Sequence, residues 1–99
     1  MYIVLLKYIK PLDIVDLALP DHVDWLNKQY EAGYFLASGK TVPREGGVII
    51  VKPMQRGKLD ALLACDPFVA QKLATYEVTE FRATRTAAEL AKLNESSLT

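Results

Sequence analysis

The sequence predicts one small α+β domain, with a sheet that carries its helices on one face. Three observations lead there. Residues 2–9 and 47–51 are almost unbroken apolar runs rich in β-branched side chains, the make-up of buried strands. Residues 20–32 repeat apolar side chains at helical spacing. The chain has 99 residues, 51% of them hydrophobic and 24% charged. That is enough for one core, too little for two, and the wrong balance for a disordered chain.

The elements follow in order. Residues 2–9 read as a central strand buried on both faces, stopped by Pro11. Residues 12–18 suit a short helical turn. Pro20 fits the first turn of a longer helix, where its missing N–H costs nothing, and Asp21 and Asp24 sit near that positive end. Val23, Leu26 and Tyr30 form its apolar stripe, and Gly33 ends it. Residues 34–39 and 47–51 are two strands joined by turn chemistry at Pro43, Gly46 and Gly47, an antiparallel hairpin. Residues 58–64 have good helix propensity. Pro67 pushes Asp66 out of the helical region, so one helix ends near Cys65 and a short one opens at Pro67, running to Leu73 with Asp66 as its N-cap. Residues 76–84 read as a long strand with one wet face. Thr86 and Glu89 form a capping box for a last helix over 87–93, and the polar tail 94–99 frays.

The resulting order, βαββαβ plus a terminal helix, predicts a split βαβ, ferredoxin-like sheet. Residues 1–86 make the α+β domain and 87–99 the C-terminal helix and tail. The strands are apolar on both faces, yet no element remains to cover the second face, so a second copy of the chain is the expected cover. Twelve Lys and Arg balance twelve Asp and Glu. The absence of net repulsion makes self-association easier, and the absence of basic excess predicts no nucleic-acid partner.

The single cysteine, Cys65, excludes an intrachain disulfide and is expected to be a small buried hydrophobe. With one histidine beside it, no Cys/His zinc site can form, and no metal or other cofactor is expected. The apolar start is interrupted by Lys7 and Lys10 and lacks a basic leader and cleavage site, so no signal peptide is read there. No run approaches the ~20 apolar residues of a membrane helix. The expected setting is the cytoplasm, whose reducing conditions suit this cysteine inventory.

His22 is the only histidine, placed at the start of the first long helix. Read alone it is a surface or cap-region histidine, and Asp66 read alone is an N-cap. Read together they form an acid/base pair, because a carboxylate bonded to one imidazole nitrogen fixes the tautomer and leaves the other nitrogen for proton transfer. Sequence separation says nothing about whether they meet. Ser38 and Gly39 end the second strand, where a hydroxyl and a bare backbone can approach a ligand. Arg44, in the hairpin turn, has the geometry to bind an anion bidentately or can be a solvated loop residue. Gly46 and Gly47 precede a strand and form no phosphate loop. Tyr8 and Trp25 are expected in the core or an interface.

These residues, in this order, resemble the YciI-like (YCII-related) family. The resemblance rests on His22, on residues 35–39 followed by 43–47, on Asp66-Pro67-Phe68-Val69-Ala70, and on the closing strand 76–81, and it runs from Met1 to about Arg85. It implies a dimeric α+β barrel in which two sheets pack face to face, and a His22–Asp66 pair in a pocket. One relative of the family acts as a dehydrochlorinase on a chlorinated hydroxyquinol. The chain departs from many members in carrying Lys40 after the strand-end glycine and Gln71-Lys72 after the Asp-Pro motif. The function expected is a small homodimeric enzyme of general acid/base chemistry on a small molecule, with His22 and Asp66 catalytic and Ser38, Gly39 and Arg44 binding substrate. The alternatives are a non-catalytic small-ligand-binding or accessory dimeric module, and a structural oligomer without a pocket.

Overall fold

The computed structural model describes residues 1–96, so the last part of the expected tail lies outside the described residues. Strands β1 (Tyr2–Tyr8), β2 (Phe35–Lys40), β3 (Gly46–Val51) and β4 (Ala74–Glu80) form one antiparallel sheet in the order β2-β3-β1-β4. Helices α1 (Leu12–Leu17) and α2 (Leu19–Glu31) connect β1 to β2, and α3 (Arg56–Ala64) and α4 (Pro67–Ala70) connect β3 to β4. This is the ferredoxin-like α+β architecture. No helix among the described residues is long and apolar enough to cross a membrane.

β1 is central but is covered on one face only. Tyr2, Val4 and Leu6 are buried while Ile3, Leu5 and Lys7 alternate with them in solvent. The expectation of a strand buried on both faces is corrected by this alternation, since every helix packs against the same side. The helix-side residues join Ile49, Val51, Phe35 and Trp25 with Leu59 and Leu63 of α3 in the main core. The last two, four apart, are one stripe of α3, and each adds about 1.5–3 kcal/mol by complete burial. A second cluster of Val15, Ala18, Phe68, Leu73 and Ala74 closes one end, with α1 and α4 on β4.

Two local features set the position of α2. Pro20 stands in its first turn, as expected. At the other end Gly33 adopts φ +81°, and the Gly33 and Tyr34 N–H groups return to the carbonyls of Tyr30 and Gln29. That is a Schellman closure, which a residue with a Cβ forms only under strain. The stripe of α2 is rotated from the expected one. His22 and Trp25 face the core, whereas Val23 and Tyr30 are 42% and 37% exposed.

Three other expectations change. Cys65 is exposed: it follows the last residue of α3, and its neighbours Leu63 and Asp66 take the inward positions. α4 stops at Ala70 rather than Leu73. The last helix is a 3₁₀ segment over Ala88–Leu93, bent at Leu90, preceded by Ala87 and without the Thr86–Glu89 capping box. None of its residues is buried, so no apolar face is present to hold an α-helix in place. The chain after it is tied back where the Glu95 N–H donates to the Ala83 carbonyl.

Candidate active site

Asp66 lies between α3 and α4 with extended backbone angles, φ −59° and ψ 124°, and Pro67 opens α4 behind it. Its Oδ1 accepts the Phe68 N–H at 3.0 Å, which makes it a true N-cap. The same oxygen lies 2.7 Å from Nδ1 of His22, 44 residues away in sequence. One atom therefore makes both contacts, the cap of α4 and the bond to His22. Asp66 is completely buried and its Oδ2 has no hydrogen-bond partner among the described residues. The imidazole stacks flat on Phe68, with centroids 4.0 Å apart and planes within 8°, and Trp25 flanks it at 5.8 Å. Packing and one short hydrogen bond thus fix the ring, because Phe68 takes its place from the helix that Asp66 caps.

His22 borders a cavity of about 190 Å³ between α2 and the β1–β3–β2 side of the sheet. Asp66 does not reach this cavity, so the imidazole stands between the carboxylate and the space beyond. The walls are mainly apolar, with Leu6, Leu19, Val23, Leu26, Ile49 and Phe68 among them. Tyr8 and Ser38 are also lining residues, and Gly39 and Gly47 bring bare backbone. The register puts Ser38 opposite Ile49 and Lys40 opposite Gly47, which is itself opposite Leu6. Directly paired residues share a face, so Ser38 and Lys40 are on the helix side.

Of the residues that the sequence singles out, His22, Ser38 and Gly39 line this cavity. Ser38 is also held by Tyr30, whose hydroxyl is 2.6 Å from Oγ. Arg44 is elsewhere. Its Nη2 donates to Oδ1 of Asp16 at 2.7 Å, and its guanidinium lies 5.5 Å from the Tyr8 ring centre. The hydrogen bond to Asp16, followed by the Tyr8 hydroxyl, raises the Arg44 pKa above its ordinary value, and the same contact lowers that of Asp16. The turn that presents Arg44 is ordered by Thr41, whose Oγ1 accepts from the N–H groups of Glu45 and Gly46 and donates to the Pro43 carbonyl.

The sequence reading did not place Tyr8 or Gly47 at the cavity. A signal for Gly47 was present, since a glycine inside a β-branched run often marks a site where something else needs the room. A Cβ there would meet the Gly39 carbonyl at 3.1 Å and Leu6 at 4.0 Å. Among the described residues no group of His, Cys, Asp and Glu is placed to hold a metal ion.

A family model, the YCII-related domain, matches residues 1–82. No match is found among the curated proteins. Among solved structures, 5-chloro-2-hydroxyhydroquinone dehydrochlorinase from Burkholderia phenoliruptrix AC1100, in complex with 2,5-dihydroxybenzoquinone, superimposes with a TM-score of 0.68. The alignment covers 83% of this chain and 94% of that one at 15% identity, a likeness of fold.

Proposed function

Starting from the fact that the chain belongs to the YCII-related family, we propose that it is a small enzyme in which His22 and Asp66 perform general acid/base chemistry on a small molecule. The observation that carries this reading is the 2.7 Å contact between Nδ1 and the buried carboxylate, made by an imidazole that also borders a cavity. With Nδ1–H donating to Oδ1, the lone pair is on Nε2, the nitrogen free to take a proton. The imidazolium that results is held by the Asp66 charge. The step fitted to such a pair is removal of a proton from carbon, with the C–H electrons forming a double bond and a leaving group departing with its own electron pair. It needs no cofactor. Ser38 and the Gly39 backbone are the groups at the wall that would bond a substrate oxygen. The fold neighbour is named as a dehydrochlorinase and holds a dihydroxybenzoquinone, which makes hydroxylated carbonyl rings the first compounds to try.

The test is a proton-exchange screen in D2O. Small hydroxylated cyclic ketones and quinones are incubated with the protein, and deuterium at carbon or loss of a leaving group is read by NMR. We expect His22→Gln to slow the reaction by at least ~100-fold while the fold is retained. Equal rates in the two proteins would sink the proposal. Binding without exchange, unaltered in His22→Gln, would identify a ligand-binding module instead.

Homodimer formation belongs to the same reading. Ile3 and Leu5 are 39% and 41% exposed on the helix-free face, beside the half-buried Val48 and Ile50 of β3. A second copy packed there would turn this apolar face into a core. Light scattering should give twice the chain mass, and Leu5→Glu should shift the protein to monomer. A monomeric parent would refute the dimer. We assign the protein to the cytoplasm, where the exposed thiol of Cys65 stays reduced, and place the domain boundary at residue 86, ahead of the 3₁₀ segment.

A further inference from the structure

We propose that Lys40 is the anion-recognising group of the His22 cavity, and that the cavity takes a small planar ring bearing one carboxylate or phenolate. This rests on the reading of the cavity as a ligand site and goes beyond it by naming the ligand class and the residue that selects it. Lys40 is the last residue of β2, on the helix-side face, and is among the residues lining the cavity. Its cross-strand neighbour is Gly47, so no side chain stands beside it on β3. Its ammonium has no hydrogen bond or ion pair among the described residues.

The charges around it favour an anion. Arg44 is engaged with Asp16 at 2.7 Å, and Lys40 acts on the same carboxylate by its field. Lys40 is the one Lys or Arg among the residues lining the cavity, so the side-chain charge it carries there is positive. Among the described residues no aspartate or glutamate lines the cavity to offset it. Apolar walls focus such a field and leave few competing dipoles. Size supplies the second half of the argument. A cavity of 150 Å³ holds benzene, so about 190 Å³ holds one ring with a small substituent. The geometry would put the ring among Leu19, Val23 and Leu26, its acidic group toward Lys40 and another edge toward His22. The anion role that the sequence suggests for Arg44 thus falls to a residue four positions earlier.

The test uses benzoate and its neutral isostere benzamide as probes, titrated into protein labelled at histidine, with the His22 ring resonances as readout. Benzoate should bind about fivefold more tightly than benzamide, the preference of a solvent-exposed ion pair worth about 1 kcal/mol, and added salt should shrink the difference. Lys40→Met, which keeps the apolar stem, should abolish the preference and leave benzamide affinity unchanged. Lys40→Arg should retain it. Equal affinities in the parent, or a preference that survives Lys40→Met, would overturn the assignment of Lys40 while the cavity reading stands. If neither probe perturbs His22 at millimolar concentration, the cavity reading fails and the assignment fails with it.

Discussion

Asp66→Ala is expected to lower the stability of the fold by about 3 kcal/mol. Loss of the bond to the Phe68 N–H removes an N-cap, about 1 kcal/mol. Loss of the bond to His22 leaves a buried imidazole N–H without an acceptor, about 1–3 kcal/mol more. Removing a completely buried carboxylate whose second oxygen is unpartnered returns part of this. For a chain of this size the change should lower Tm on the order of 15 °C, measured by thermal unfolding. Asp66→Asn separates the two roles. Its amide oxygen can still cap α4 or accept from Nδ1, so stability should fall by only about 1 kcal/mol, while the absence of charge removes support for an imidazolium. An alanine variant as stable as the parent would show that the shared oxygen carries no structural weight.

Gly46→Ala should be more damaging still, with at least ~4 kcal/mol lost or no folded protein recovered. An added Cβ would stand 1.8 Å from the Leu6 carbonyl oxygen and 2.8 Å from its carbon. Both are backbone atoms of the central strand, so no change of rotamer relieves the clash and β3 must separate from β1 at the Lys7 pairing. Gly39→Ala is the control in the same hairpin. Its Cβ would meet nothing within 4 Å, so stability should change by less than about 0.5 kcal/mol. Urea unfolding of the two variants measures the contrast, and similar midpoints would refute the close approach at Gly46.

Much of the architecture can be read from the residues. The β-branched run at 47–51, the prolines at 20 and 67 and the glycine at 33 each act through backbone sterics, which are local and transferable. The rotated stripe of α2 and the exposure of Cys65 could not be read that way. Apolarity marks a side chain as able to be buried, but which side of a helix meets the sheet depends on the neighbouring helix, and here α4 draws His22 inward through Phe68. Arg44 shows the same limit for charge. Its reach and chemistry suited an anionic ligand, but Asp16, 28 positions earlier, is the nearer anion. Lys40 stood out in the sequence as a departure from the family pattern, and its position at the cavity follows from the pairing of β2 with β3.

The shared oxygen of Asp66 has an evolutionary consequence. A descendant without the acid/base role proposed for the pair would still need the carboxylate to close α4 and seat Phe68, so selection for folding alone would preserve it. His22 is tied to the same oxygen, so replacing its ring by another flat side chain on Phe68 would leave the buried carboxylate with the Phe68 N–H alone. In a comparison of related chains, an aspartate at this position would therefore mark inheritance of the scaffold, whether or not the acid/base role proposed for the pair were kept.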